Sequence, residues 1–569
     1  MVGGRVPNAP VQLMAQEVSA PQSVRASQRN PAVSTPALPP LPVAIETIGV
    51  IVLATLGSTI SSQLVDLAIA DVGGGFSISA DDASWIACIA TMAEVAGIPI
   101  AATLVRAVSL RTVALWTGST FALCAFASLH AGSESSLLVL RAMQSFCTGI
   151  LSVLLFVAVM ATLPRGAARN LGLAVFAFAS TAPAALNASV GGFMTERFGW
   201  AGLYYFDLAW SLVFVGLAWW LVRPTPHAMR IREIDWPGYI LLPIGLAGLI
   251  LFLKQGDRFF WLENAIITRA GLVGAILIPV AILVFLIRKH PLLDLSLLAK
   301  PTFGWAIVLA TCYRFGLVMT AFVVPQVLTR LQGFRIEQIA DANIWMFWAE
   351  CIAVPLAWLW ASRGEARMPL SLGLALFAVG AFLSSRLTPA WQADDFRLSM
   401  IVIGFGQGLF LIPTVYYATR DVAPEQGTTA AALFNLSRVV GQTFGIAVVG
   451  SLITEREKFH SAFLVESLSN ANPALLERFN NLVATFLGEH GDQSLAQLQA
   501  WQSLSTTFSQ QAFVLAFADA FVIISAVLAI SAVMVLMLPA LREAPQRASP
   551  PPTAPAGATD RAFEASRQA

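Results

Sequence analysis

A polytopic α-helical membrane fold is predicted by three features of the chain: an excess of apolar residues, a shortage of charge, and apolar runs that recur at bilayer-crossing length. Of 569 residues, 57% are hydrophobic and 12% charged, and the mean hydropathy is +0.71. Soluble domains sit near about 45–50% apolar and about 25% charged. With half that charge a globule of this size cannot cover its surface, so much of the surface must face lipid. A net charge of +1 gives no basic footprint for nucleic acid.

A helix needs about 20 apolar residues to cross the hydrocarbon core. That rule places about fourteen spans. The first six lie near 44–70, 85–104, 113–130, 137–161, 170–193 and 201–222. Two follow near 238–254 and 270–287, and the last six near 303–327, 342–361, 369–386, 398–418, 428–452 and 512–538. Most of the 34 Lys and Arg fall on one side if the N-terminus is cytoplasmic, and the first two outer loops carry none. An even count with both termini cytoplasmic fits best, and a thirteen-span arrangement stays open.

Residues 1–42 are rich in Pro, Ser, Ala and Gln, with no apolar core behind a basic start, so they read as a disordered cytoplasmic tail rather than a cleavable signal. The stretch 541–569 reads the same way. Between Glu455 and Gln511 the chain looks soluble and is assigned to the outer side. Within it, Asn472-Pro473 opens an amphipathic helix with Leu475, Leu476, Phe479, Leu482, Val483, Phe486 and Leu487 on one face. A membrane-surface helix and a docking surface for a periplasmic partner are both open there.

Charges inside spans carry the functional expectation, because each costs at least about 2.5–3.5 kcal/mol on insertion scales. Asp66 falls late in span one, Glu94 near the middle of span two, and Arg141 early in span four. The rise of a helix puts the three at similar depth. Two carboxylates and an Arg at one level could form a site whose proton affinity changes as the Arg moves, since burial raises a carboxyl pKa and a nearby cation lowers it. In the second half, Arg314 and Glu350 lie within spans nine and ten, as a substrate-cavity set or a static ion pair. Asp207 and Arg438 read as interfacial or helix-pinning residues.

Enzymatic signatures are missing. Gly404-Phe-Gly-Gln-Gly408 lies inside an apolar helix with no preceding strand, so its small residues serve close packing rather than nucleotide binding. The five His have no metal-ligand spacing, and the five Cys sit in apolar runs as packing residues. No cofactor, metal or nucleophile–base set is expected.

Three stretches in order carry a family resemblance: Ile234-Asp-Trp-Pro-Gly238, His290-Pro-Leu-Leu-Asp-Leu-Ser-Leu-Leu298, and the run from Gln426-Gly-Thr-Thr through Asn435, Arg438 and Gly441 to Gly445. Together they resemble the fourteen-span drug:proton antiporters of the major facilitator superfamily, over roughly residues 44–540. The N-terminal motifs are altered. Of the charged loop between spans two and three, Arg106 and Arg111 remain. The span-four motif survives as Arg141, Gln144 and Gly149. The span-five antiporter motif matches around Pro183, Asn187, Gly191 and Gly192, with its Gly-Pro replaced. Ser61 stands where the family's span-one Asp would be, and Asp66 where its Asn would be.

The resemblance implies an all-α fold with two six-helix bundles, 43–222 and 303–540, the second carrying a periplasmic loop at 455–511. Two linker transmembrane helices would occupy 223–302. It further implies proton-coupled export of small lipophilic or amphipathic molecules across the bacterial inner membrane by alternating access. Asp66, Glu94 and Arg141 would serve proton coupling, Gln144, Arg314 and Glu350 the cavity, and a proton gradient would supply energy in place of a cofactor. The lipid bilayer, a small-molecule substrate and a periplasmic adaptor are the implied partners. The altered motifs also leave open an uncoupled or import-directed metabolite carrier, and a non-transporting sensor or scaffold.

Overall fold

The computed structural model describes residues 40–537, apart from 165, 225–233, 289–290, 362–365, 424–425 and 469–472. The expected terminal tails lie outside the described residues, except that the first helix already begins at Leu41. The N-terminal half consists of α1 (Leu41–Leu67), α2 (Ile69–Phe76), α3 (Ala80–Val108), α4 (Leu110–Ser128), α5 (Glu134–Thr162), α6 (Ala167–Phe198) and α7 (Ala201–Leu221). Two inserted helices follow, α8 (Trp236–Gln255) and α9 (Ala265–Ile287). The C-terminal half begins with α10 (Pro301–Val318), a π-helical turn (Met319–Val323) and α11 (Val324–Gln332), which together make one crossing. It continues with α12 (Ile336–Ala361), α13 (Arg367–Ser384), α14 (Arg397–Thr419), α15 (Gly427–Leu468), α16 (Pro473–His490) and α17 (Gln493–Leu536).

Among the described residues, fourteen helices are long and apolar enough to cross a membrane. Helix is the form this chain must take there, because lipid offers no partner to an unpaired backbone N–H or C=O. The even number puts the start of α1 and the end of α17 on one face, here called the terminal face; the other is the far face. Polar side chains fix several helix starts: Ser79 accepts from the Asp82 amide, Asp235 from Gly238, Asn264 from Ile266, and Asp492 from Ser494 and Leu495. The π turn lies just before Pro325, which has no N–H to give and would crowd the carbonyl one turn back.

Glycine sets the closest helix approaches. A Cβ on Gly149 of α5 would overlap the backbone carbonyl of Glu94 in α3, and one on Gly97 would overlap that of Phe146. The second half repeats the arrangement: Gly404 of α14 lies against the Met346 carbonyl of α12. With no hydrophobic drive between helices in lipid, such small-residue contacts bring backbones together.

The segment 455–511 differs from a surface loop. Helix α15 runs 42 residues and α17 runs 44. At 1.5 Å per residue each is about 60 Å long, twice the hydrocarbon thickness of about 30 Å. Both therefore project beyond the bilayer at the far face, and α16, the helix expected from the spacing of its apolar residues, folds back on α17 with Phe479 and Trp501 4.6 Å apart. Asp519, inside α17, joins Arg456 at 2.7 Å and His460 at 2.8 Å on α15. The two long helices are thereby tied together.

Gly149→Val should force α3 and α5 apart. Overpacking of this kind costs about 1–3 kcal/mol or more. The variant is expected to show a clear fall in melting temperature in detergent, while Gly49→Ala, where a Cβ meets nothing, should leave it unchanged.

Candidate functional site: buried charges between the halves

The two halves meet through the depth of the membrane. At the far face, Gly191 of α6 lies against Ile336 and Gly192 against the backbone of Glu337 at the start of α12. Arg335 adds an ion pair to Asp71 of α2 at 3.3 Å. At the terminal face, the Tyr416 hydroxyl of α14 donates to the Asn170 carbonyl of α6 at 2.8 Å. Both faces are thus bridged.

Between them lie two related carboxylates. Ala93-Glu94-Val-Ala-Gly-Ile-Pro99 in α3 and Ala349-Glu350-Cys-Ile-Ala-Val-Pro355 in α12 share a pattern, and each helix is the second crossing of its half. Each Glu reaches to the fifth crossing of the opposite half. Glu94 accepts from Arg438 Nη2 of α15 at 2.6 Å, with both side chains 8% exposed. Glu350 accepts from the Thr181 hydroxyl of α6 and, at 2.9 Å, from Gln407 Nε2 of α14. This is the relation expected of halves that repeat about an axis along the membrane normal.

A pocket of about 60 Å³ beside Glu94 is lined by Gln63, Asp66, Thr91, Lys254, Arg438 and Gln442, among others. Asp66, near the end of α1, pairs with Lys254 at 3.1 Å, and the same Nζ donates to the Ala87 carbonyl of α3. Lys254 comes from the last turn of α8, so an inserted helix contributes directly to this site.

Arg141 lies apart from that pocket. Its guanidinium donates to the Ser61 carbonyl at 2.9 Å and to Gln144 Oε1 at 3.1 Å. Its carboxylate is Asp207 of α7, 3.9 Å away and 2% exposed. Asp207 Oδ2 also accepts from Gln144 Nε2 at 2.6 Å and from the Ser61 hydroxyl at 2.9 Å. Ser61, standing where the family pattern has an acid, hydrogen-bonds an acid supplied by another helix.

The remaining expected residues are placed as follows. Pro183 is inside α6. Asn187 donates to Gln63 Oε1 of α1 at 2.8 Å. The expected 102–111 loop is largely helical: α3 runs to Val108, and Ser109, at φ 123°, makes the junction while capping α4. Arg111 donates to the Trp219 carbonyl at 2.7 Å and lies over that indole, within the N-terminal half. Arg106 lines a terminal-face cavity of about 450 Å³ with Asp235, Arg288, Asp294, Gln426 and Thr429. In that cavity, hydrogen bonds from Ser296 and Gln426 hold the Asp294 carboxyl below its usual range. None of the five Cys is in a disulfide, and the described residues hold no group of three or more metal-ligating side chains.

Sequence reading groups Asp66, Glu94 and Arg141 at one site; the structure brings Asp66 and Glu94 to one pocket but sets Arg141 apart from both, beside Asp207. The sequence reading misses Lys254 and gives Asp207 and Arg438 lesser roles. Two signals were available. Asp207 falls on the stripe Tyr204, Asp207, Trp210, Ser211, Phe214, all buried at helical spacing. The shared Ala-Glu…Pro pattern of α3 and α12 marks Glu94 and Glu350 as equivalents.

Among the described residues, fourteen helices long and apolar enough to cross a membrane, with buried charged side chains joining the two halves, define a multi-pass membrane protein. A family model described as Major Facilitator Superfamily matches residues 51–311. The multidrug export protein EmrB of Escherichia coli K12 is 23% identical over 442 residues, covering 76% of this chain and 84% of EmrB. The fatty acid resistance protein FarB of Neisseria gonorrhoeae is 23% identical over 476 residues, covering 81% and 90%. The colistin resistance protein EmrB of Acinetobacter baumannii is 24% identical over 437 residues, covering 74% and 83%. Among solved structures, an inward-facing bacterial homologue of the human lysosomal transporter Spinster superposes with a TM-score of 0.50 at 16% identity, covering 89% of this chain and all of that one. Over residues 51–311 the chain is thus similar to the Major Facilitator Superfamily, and over about three quarters of its length to the EmrB-type proteins.

Arg438→Gln should leave Glu94 buried without its cation, which costs about 3–5 kcal/mol for such pairs. A large fall in melting temperature is expected. Adding Glu94→Gln should recover most of it, because a neutral amide pair needs no counter-charge; a double variant no more stable than the single one would show that the two side chains are not coupled.

Proposed function

We propose that this chain exports small lipophilic or amphipathic molecules across a bacterial inner membrane by proton-driven alternating access. The Glu94–Arg438 pair carries the reading: its members lie in opposite halves, 344 residues apart, and are both buried. Protonating Glu94 removes the attraction that holds Arg438, so the halves are free to rock apart on that side. Losing the proton toward the other side restores the pair. Asp66, 40% exposed and lining the same pocket, is the relay between solvent and Glu94. Arg141 acts on Asp207 as the second titrating group, in place of the missing span-one acid.

The relatives support export, being named for multidrug export, colistin resistance and fatty acid resistance. The Lys and Arg bias supports cytoplasmic termini, which makes the far face periplasmic. We take 43–222 and 303–540 as the moving halves, with 223–302 as the linker that brings Lys254 to the site. The projecting α15–α17 segment, which exposes Phe459, Phe463, Leu476, Leu498 and Trp501, is the contact for a periplasmic adaptor protein.

The test is accumulation of lipophilic fluorescent probes of either charge in a pump-deficient bacterium. Cells making the wild-type chain should accumulate several-fold less than controls. A protonophore or Glu94→Gln should abolish the difference, and Asp66→Asn should reduce it. Export indifferent to the protonophore would replace this reading with an uncoupled carrier. Unchanged accumulation with the protein present in the membrane would overturn export.

A further inference from the structure

Glu350 of α12 is the buried acid that the mechanism above leaves unused. It is 1% exposed and lines neither of the two cavities described above. What holds it is neutral: the Thr181 hydroxyl of α6 at one oxygen and, at 2.9 Å, the Gln407 amide of α14 at the other. Both partners are buried as deeply as Glu350 itself. The titratable groups of those two helices stand toward their ends: Arg169, Glu196 and Arg197 on α6, and Arg397, Tyr416 and Tyr417 on α14. On α12, Cys351 is next in the chain and Asp341 lies more than two turns earlier. From α10, beside Tyr313, the charge of Arg314 acts on Glu350 through space, but among the described residues Glu350 forms no ion pair.

An ionised carboxylate met only by neutral donors is a costly arrangement inside a membrane. The inventory of hydrogens offers a form without that cost. Thr181 has a single hydroxyl hydrogen, and its oxygen also lies 3.1 Å from the Ala177 carbonyl one turn back. With a proton on Glu350, the acid donates to Thr181, Thr181 donates to Ala177, and Gln407 donates to the second acid oxygen. All three contacts are then made with no charge buried. Without that proton, the Thr181 hydrogen must turn to the carboxylate. The new charge is then left to Arg314, a buried cation of the same half whose Nη2 has no hydrogen-bond partner.

We propose that Glu350 is a further proton site, holding its proton in this state as the neutral acid that ties α12 to α6, and that release of the proton undoes the tie. This rests on the exporter reading above and deepens it. The proton leaves to water on the side that opens, and the carboxylate turns from Thr181 of the N-terminal half to Arg314 of its own. Glu94 works in the opposite sense. It holds Arg438 across the halves when ionised, whereas Glu350 holds Thr181 across the halves when protonated. The bridged state therefore keeps a proton on Glu350 and none on Glu94, and gaining one at Glu94 or losing one at Glu350 loosens the boundary.

Infrared spectra of the purified full chain in lipid nanodiscs read the proton directly, through the carbonyl stretch of a protonated carboxylic acid. At neutral and mildly alkaline pH the exposed acids are ionised and contribute nothing there. The difference between wild type and Glu350→Gln should show the band, and that between wild type and Glu94→Gln should not. Thr181→Val, which removes the acceptor, should shift the band, and carries the test if the Gln variant does not fold. A difference spectrum for Glu350→Gln without the band, or a band unmoved by Thr181→Val, overturns the proposal. Export of the fluorescent probes is measured separately. Glu350→Gln, fixed in the neutral form, should raise accumulation to the level of cells lacking the chain; export by this variant at the wild-type rate would overturn the release step. A band that depends on Glu350 in a chain that exports nothing would defeat the exporter reading and keep the proton site.

Discussion

A formal charge inside a bilayer must be met by another group in the same low-dielectric space, and the arrangement of this protein follows from how each charge is met. Desolvation costs several kcal/mol per ion, and only close, well-oriented partners offset it. Glu94 finds Arg438, Asp207 finds Arg141, and Asp66 finds Lys254. Because these partners lie on different helices, the pairings dictate which helices adjoin: α3 with α15, α5 with α7, and α1 with α8. Each pair ties helices that lipid alone would not hold together. The Glu94–Arg438 pair also joins the two halves to each other.

Glycine and proline decide how closely and how rigidly those helices meet. Gly97 and Gly149 allow α3 and α5 to touch along their backbones, which brings Glu94 to the boundary between the halves. Pro99 and Pro355 each follow a buried Glu by five residues, so the backbone beyond each acid lacks one hydrogen bond of its ladder. The carboxylates are therefore set beside weakened points of otherwise continuous helices. The same logic applied twice gives the repeat of Glu94 and Glu350, yet the halves have diverged in what answers each acid. An Arg answers one; a Thr and a Gln answer the other.

Divergence also explains why the motif-based expectations and the geometry part company at Arg141. The residue sits where the resemblance puts it, and its neighbour Gln144 with it, but span one no longer carries the acid. Ser61 keeps the position and hands the charge to Asp207 of α7 by a hydrogen bond. A motif records which residue types sit on one helix, whereas the chemistry needs a carboxylate near that Arg from any helix. The 102–111 segment parts from its motif in a similar way: Arg111 spends its donors on Trp219 inside one half rather than on a contact between halves.

Composition and apolar run length were enough to determine an all-helical membrane chain of about fourteen crossings, because the bilayer imposes both the helical form and a minimum length on any segment that crosses it; the structure decided for fourteen over thirteen among the described residues. Periodicity alone was enough for α16, whose apolar face reads directly from Leu475 to Leu487. Residue type marked Glu94, Arg141, Arg314 and Glu350 as costly within spans. Only the tertiary structure decided their partners. A charge's partner lies across helices separated by up to 344 residues, at an angle about each helix axis that depends on how every neighbouring helix packs. The projection of α15 and α17 beyond the membrane was likewise settled in three dimensions, since a polar stretch reads alike in sequence whether it loops over the surface or continues a helix into water.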